Sequence, residues 1–210
     1  MTPPGSEYFR WYYAEGVWKR QHYRGVRILK LPTDLWNYQE IITERRIEWV
    51  VETGTLHGGS ALYFADLLEL GRAPGKVITI DVSHDALQVK SHPRIEFIRA
   101  SSALPQTAEH VARMLPEQRG ALFMILDSDH TRDHVLRELE VMVPLLRPGD
   151  YLVVEDTCIN GHPVRPEYGP GPMEALADYF VAHPGELEHD FEREEKFGCT
   201  AAPRGYLIKT

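Results

Sequence analysis

From Trp49 onward, short runs of uninterrupted apolar residues alternate with longer amphipathic stretches, and that alternation leaves few architectures open. Trp49-Val50-Val51-Glu52-Thr53, Val77-Ile78-Thr79-Ile80-Asp81 and Ile95-Glu96-Phe97-Ile98 read as strands. Leu122-Phe123-Met124-Ile125-Leu126-Asp127 and Tyr151-Leu152-Val153-Val154-Glu155-Asp156 add two more. A strand without polar alternation has to be covered on both faces, which is the condition of a parallel sheet clad by helices. Helices are predicted over residues 60–70 and 131–146, the second presenting Val135, Leu139, Met142 and Leu146 on one face before Pro148-Gly149 stops it. Another is predicted at about 35–44, where Leu35, Tyr38 and Ile42 align, and a last one near 173–182. Two closing strands, near 189–195 and 205–209, are spaced for an edge hairpin. The expected fold is α/β: a Rossmann-like, mostly parallel seven-stranded sheet with helices on both faces and an antiparallel hairpin at one edge.

The 210 residues suffice for one domain with a sizeable core, and no repeat or low-complexity linker divides them. Residues 1–210 are therefore expected to form one domain with an N-terminal extension of about 45 residues. The extension begins as coil over residues 1–6 and then carries seven aromatics between Tyr8 and Tyr23. Those aromatics suit either a lid over substrate or a subunit interface, and a homo-oligomer is expected. A formal net charge of -8 argues against a nucleic-acid partner. No apolar run reaches membrane-spanning length and no secretory pattern opens the chain, so a cytoplasmic protein without membrane association is expected. Cys158 and Cys199 form no Cys-x-x-Cys pair, which disfavours zinc-ribbon and thioredoxin chemistry and agrees with a reducing compartment.

In a sheet of this kind ligands bind beyond the carboxyl ends of the strands. The first strand runs into Glu52-Thr53-Gly54-Thr55-Leu56-His57-Gly58-Gly59-Ser60. Glycines at 54 and 58 permit a tight turn with close backbone approach, and Ser60 is placed to cap the following helix. Leu56 occupies the middle glycine position of a nicotinamide fingerprint, and no lysine follows Gly58 as a P-loop requires. What remains is acidic-x-Gly-x-x-x-Gly, the pattern usual for S-adenosylmethionine. Asp81 closes the second strand, where a carboxylate can accept both ribose hydroxyls. Ser101 and Ser102 follow the third strand and can meet an adenine edge. Alternatively, Asp81 caps a helix and the serines form a simple turn.

A second group is carboxylate-rich. Asp127-Ser128-Asp129-His130 ends the fourth strand and Glu155-Asp156-Thr157 the fifth, so these acids are expected to converge on one mouth. Uncompensated carboxylates held together repel, and a divalent cation removes that penalty, with oxygen ligands selecting Mg2+ or Ca2+. The alternative is that Asp129 caps a helix and Glu155 makes an ion pair. His130 is the histidine best placed for a general base, ahead of His57 and His162.

Leu31-Pro32-Thr33-Asp34-Leu35-Trp36-Asn37-Tyr38-Gln39-Glu40, the segment Glu52 to Ala61, Leu126-Asp127-Ser128-Asp129-His130 and Val153-Val154-Glu155-Asp156-Thr157 resemble the cephalosporin hydroxylase-like family. The similarity covers about residues 25–209. It implies a class I methyltransferase fold that binds S-adenosylmethionine and Mg2+, with members associated with O-methylation in antibiotic and glycolipid biosynthesis. By the resemblance, metal ligands fall on Asp129, Glu155 and Asp156, and cofactor contacts on Gly54, His57, Ser60 and Asp81. Glu52, Thr53 and Ser102 join the cofactor set from the reading of the strand ends. Asp127 is expected at the methionine amine, the metal or the substrate. The expected activity is Mg2+-dependent O-methylation of a hydroxylated natural product or sugar, with His130 and Asp129 as the catalytic residues. A non-methylating or non-catalytic partner subunit in a biosynthetic complex is the alternative.

Overall fold

The computed structural model describes residues 5–210. The first four residues of the coil expected over 1–6 lie outside the described part, and Ser6 already opens helix α1 (Ser6–Ala14). A 3-10 turn (Val17–Arg20) leads to a two-stranded hairpin of β1 (His22–Tyr23) and β2 (Val26–Arg27). Then follow α2 (Pro32–Glu44), β3 (Trp49–Thr53), α3 (Gly59–Leu70), β4 (Val77–Asp81), β5 (Ile95–Arg99) and α4 (Pro105–Met114). The second half continues with β6 (Leu122–Leu126), α5 (Arg132–Met142), β7 (Tyr151–Val154), α6 (Pro172–Ala182), β8 (Leu187–His189), α7 (Phe191–Glu195) and β9 (Tyr206–Lys209). Proline occupies the first turn of α2, α4 and α6, where its missing N–H has no partner to lose.

The seven strands of the main sheet lie in the order β5-β4-β3-β6-β7-β9-β8. Strands β3 to β7 are parallel to one another, while β9 runs antiparallel to both β7 and β8. The chain leaves β3 towards β4 and β5, then returns to lay β6 against β3 from the other side. That reversal opens a crevice between the carboxyl ends of β3 and β6.

Each central strand sends alternate side chains to opposite layers. Val51, Ile78, Met124 and Leu152 pack with Val111, Leu139 and Leu176 on one face of the sheet. Val50, Val77, Phe123 and Val153 pack with Tyr38, Phe64 and Leu68 on the other. Burial of each such side chain contributes roughly 1.5–3 kcal/mol. A third cluster joins Phe9 and Tyr12 of α1 to Leu31, Cys158, Ile159 and Val164, fastening the N-terminal helix over the end of β7. Among the described residues no helix is long and apolar enough to cross a membrane.

Several local expectations are corrected. Helix α5 stops at Met142 because Pro144 cannot extend the α-helical hydrogen-bond ladder, and the 3-10 turn Val143–Leu145 takes over. The edge hairpin forms, but residues 191–195 are helical instead of extended, with Asp190 Oδ1 accepting the Arg193 N–H at 3.1 Å. Ser60 does not cap α3: Gly58, at φ 82°, is the N-cap residue, and Ser60 lies buried in the first turn. Helix α4 was not anticipated.

Candidate active site

A cavity of about 700 Å³ opens at the carboxyl ends of β3, β4, β6 and β7, the size of a cofactor and small-substrate site. One side is formed by the turn after β3. Gly54 has φ 87°, and a Cβ there would lie 1.9 Å from the Asp127 carbonyl oxygen, so the turn and the end of β6 touch as only glycine allows. Leu56 also has positive φ, and its N–H donates to Asp81 Oδ2 at 2.8 Å, while the Ser83 N–H donates to Oδ1 at 3.1 Å. The Asp81 carboxylate is therefore held in a fixed orientation at the cavity wall.

Gly54, His57, Ser60, Asp81, Ser102 and Asp127 all line the cavity. His57 Nδ1 lies 3.0 Å from the Ala86 carbonyl oxygen, which ties this turn to the loop after β4. Glu52 and Thr53, also expected as cofactor contacts, are fully buried and do not line the cavity. Their place within β3 explains this. Glu52 Oε2 accepts the Thr79 hydroxyl at 2.7 Å, and burial raises its pKa against the opposing pull of Lys30. Thr53 works one step back, its Oγ1 accepting the Asp127 N–H at 3.1 Å.

The acids do converge, but with a different membership. Atoms of Asp127, His130 and Asp156 that can bind a metal lie within 4.8 Å of one another, and His130 Nε2 is 3.3 Å from Asp156 Oδ2. Asp156 has φ 55°, a left-handed conformation at the end of β7. Of the trio Asp129, Glu155 and Asp156, only Asp156 belongs to this group. Asp129 Oδ1 accepts the Thr131 N–H at 2.7 Å and hydroxyl at 2.5 Å, contacts that lower its pKa against modest burial. Glu155 is buried; its Oε1 accepts the Tyr38 hydroxyl at 2.6 Å and lies 3.0 Å from Lys30 Nζ. Of the local roles weighed for Asp129 and Glu155, the Glu155 ion pair forms, but Asp129 is not a helix cap: Thr131 is the N-cap residue of α5, and Asp129 closes the turn just before it. Asp129 nonetheless lines the cavity, and its Oδ2 accepts no hydrogen bond among the described residues. Carboxylates at 127 and 156 beside the His130 imidazole are a donor set that fits a divalent cation, and their oxygens favour a hard ion.

Lys30 was missed by sequence reasoning. Its side chain is 2% exposed, and Nζ pairs with Asp127 Oδ2 as well as Glu155. Burial works to neutralise the ammonium, but Asp127, Glu155 and Glu52 outweigh it and hold Lys30 charged. Burial also pushes the Asp127 pKa up, with Glu155 and Asp156 adding to the rise and Lys30 opposing it. The available signal was a lysine inside the apolar run Val26 to Leu31, since a buried lysine requires an acidic partner. Ser128 was likewise passed over: its Oγ donates to the buried Glu138 at 2.7 Å and lies 3.0 Å from His134 Nε2.

The remaining wall is aromatic. Phe9, Tyr12, Tyr13 and Trp18 line it, with the Tyr13 and Trp18 rings stacked at 5.7 Å, and Arg165 and Tyr168 face them from the loop after β7. These positions match a lid, whereas Tyr8 and Trp11 point outward, 51% and 54% exposed. Glu174 anchors the loop, accepting the Gly171 N–H at 2.7 Å and the Asn160 amide at 2.9 Å. His162 Nε2, 2.9 Å from Glu174 Oε1, is part of the same anchor and does not line the cavity.

The profile of the family described as rhamnosyl O-methyltransferase/CmcI matches residues 15–210, reaching ten residues further towards the N-terminus than the motif resemblance over about residues 25–209. A protein named rhamnosyl O-methyltransferase from Mycobacterium tuberculosis is 48% identical over 206 residues, covering 97% of this chain and 84% of that protein. Its namesake in Mycobacterium leprae is 46% identical over 205 residues, covering 97% and 90%. A solved structure of CmcI described as its Mg-SAM complex superposes with a TM-score of 0.73 at 25% identity, covering 91% of this chain and 77% of that one. An O-methyltransferase from Bacillus cereus, at 15% identity and a TM-score of 0.54, shares the fold over 86% of this chain and 82% of its own. The chain belongs to the rhamnosyl O-methyltransferase/CmcI family, O-methyltransferases built on the class I methyltransferase fold.

Proposed function

We propose that this chain transfers the methyl group of S-adenosylmethionine to a hydroxyl of a sugar or sugar-bearing natural product, with Mg2+ at the carboxylate cluster. The observation that carries this reading is that one cavity joins the Gly54 turn and Asp81 to the Asp127, His130 and Asp156 group, with an aromatic wall beyond. Relatives named rhamnosyl O-methyltransferase, at 48% identity, support a deoxyhexose hydroxyl as acceptor. The CmcI complex described with Mg and SAM supports the cofactor pair.

Asp81 accepts the ribose hydroxyls, already oriented by the amides of residues 56 and 83. Ser102 meets the adenine edge, with Ser128 3.5 Å behind it. The backbone of the Gly54 turn, seated against the Asp127 carbonyl, lines the cavity where the methionine portion lies. Mg2+ bound at Asp127, Asp129 and Asp156, with Glu155 adjoining, would supply the positive charge that lowers an acceptor hydroxyl's pKa. His130 takes the hydroxyl proton on Nδ1, the ring nitrogen turned away from Asp156, while Asp156 faces Nε2, orients the ring and favours its protonated form. Tyr13 and Trp18 offer a flat face against a sugar ring, and the wall excludes water from the sulfonium.

The two free cysteines, Cys158 buried and Cys199 half-buried, agree with a reducing, cytoplasmic setting. Residues 1–210 form one domain in this reading, and the outward Tyr8 and Trp11 support a homo-oligomer, testable by light scattering. The function is tested by incubating the protein with S-adenosylmethionine, an aryl rhamnoside and either Mg2+ or EDTA, and analysing products by mass spectrometry. A methylated glycoside formed only with Mg2+ is the expected result. In parallel, S-adenosylhomocysteine at about a hundred times its Kd should stabilise by roughly 2.7 kcal/mol. Absence of that shift would sink the cofactor assignment.

A further inference from the structure

We infer that Lys30 is a resident counter-cation of this centre, balancing Asp127 and Glu155 in the metal-free protein and holding down the affinity for a divalent ion. The inference rests on the reading of the carboxylate cluster as a divalent-cation site. Asp127 follows β6 and Glu155 follows β7, two adjacent parallel strands whose ends bring the acids together. Lys30 Nζ sits between them, paired with Asp127 Oδ2 and 3.0 Å from Glu155 Oε1, and is screened from water. Asp127 also belongs to the group with His130 and Asp156. A divalent ion seated beside Asp127 therefore meets an ammonium on the same carboxylate, and like-charge repulsion in a water-poor cavity opposes its binding.

The lysine is held at both ends: Nζ by its two carboxylate partners, and the backbone through its carbonyl oxygen, which accepts hydrogen bonds from the Gln21 amide at 2.6 Å and the Tyr12 hydroxyl at 3.4 Å. A fixed charge of this kind acts on the site whether or not the ion is present. Without it, Asp127 and Glu155 lose the ammonium paired with both, while Asp127 stays grouped with Asp156 and His130. The metal-free protein would then be less stable and its hunger for a divalent ion greater.

Calorimetric titration of Mg2+ into the full-length protein and into Lys30→Met, Lys30→Gln and Lys30→Arg tests this without recourse to turnover. The neutral variants are expected to bind Mg2+ more tightly by roughly 5- to 150-fold, the span of a typical coupling between sites, and the arginine variant to stay near the parent. The melting temperature of the neutral variants should fall without metal and gain more from Mg2+ than the parent does. Should neither neutral variant fold without metal, added Mg2+ must restore the folded state, and failure to do so overturns the inference. An unchanged or weakened Kd in folded Lys30→Gln overturns it while leaving the metal site standing. No binding by any form, the parent included, overturns the metal reading and this inference together.

Discussion

His130 Nε2 faces Asp156 Oδ2 across 3.3 Å, and Asp156 holds its side of that contact from a left-handed backbone conformation. Such a conformation costs a non-glycine residue of order 1–3 kcal/mol and persists where the surroundings enforce it. The pair is therefore a built feature of the cavity, and His130 is the member proposed to accept the proton. Replacement of His130 by Ala should lower kcat by about 10²–10⁴-fold. Binding of S-adenosylhomocysteine, measured by calorimetry, should stay near the parent value, and unchanged turnover would dismiss the assignment.

Asp81 lies on the opposite side of the cavity, where its carboxylate is aimed by two backbone amides. A hydrogen bond to a charged acceptor contributes about 1.5–3 kcal/mol. Asp81→Ala should thus weaken S-adenosylhomocysteine binding by roughly 10- to 100-fold, with Mg2+ affinity preserved. Loss of both affinities would mean that the substitution had disturbed the fold.

Gly54→Ala should be among the most damaging small substitutions in the chain. The new methyl group would strike the Asp127 carbonyl oxygen, and φ 87° disfavours any side chain. Backbone strain alone costs roughly 1–3 kcal/mol, and each kcal/mol lowers Tm by about 2–4 °C at this size. A normal melting curve with normal cofactor binding would contradict the close approach of β3 and β6.

The aromatic wall predicts a split between kinetic constants. Tyr13→Ala and Trp18→Ala remove the stacked pair that lines the acceptor side while leaving Asp81 and the Gly54 turn untouched. A several-fold rise in KM for a glycoside acceptor is expected, with S-adenosylmethionine KM unaltered. The reverse pattern would move the acceptor to another part of the cavity.

Glu174 predicts an acid-sensitive contribution to stability. Burial opposes its ionisation, but hydrogen bonds from Gly171, His162 and Asn160 prevail and hold its pKa at about 2, against 4.5 for an ordinary glutamate. Its folded-state pKa is depressed, so the contribution is fully present above about pH 4.5 and is lost as pH falls towards 2. Glu174→Gln should cost about 1 kcal/mol at pH 7, read as a lowered melting temperature. The gap to the parent protein should narrow steadily between pH 4.5 and 2; a constant gap would exclude ionisation as its source.

The parallel sheet was legible because β3, β4, β6 and β7 are apolar enough to have no other solution. The same rule marked Gly54 and Asp81, since a strand end followed by glycine or aspartate is a local pattern. Helix α7 was not legible: four of its five residues are charged, and it is set by the Asp190 cap and by Arg193 reaching Glu40 and Glu44 on α2. Membership of the acidic group was only half legible. Asp127, Asp129 and His130 share one short segment, and Thr131 decides which of them turns inward by engaging Asp129. Lys30 was hidden for a different reason: Asp127 lies 97 positions away, and nothing near Lys30 in the chain announces its partner.

The hold of Gln21 and Tyr12 on the Lys30 carbonyl has a consequence for how this scaffold could be diversified. The wall that greets the acceptor and the charges that meet the reacting oxygen hang from one residue. A graft of a foreign N-terminal segment, made to retarget the enzyme to a new acceptor, would alter the ionic makeup of the reaction centre unless it kept those two donors. With the acceptor seated at that wall as proposed, its choice and the charge balance around Lys30 would have to be re-engineered as one unit.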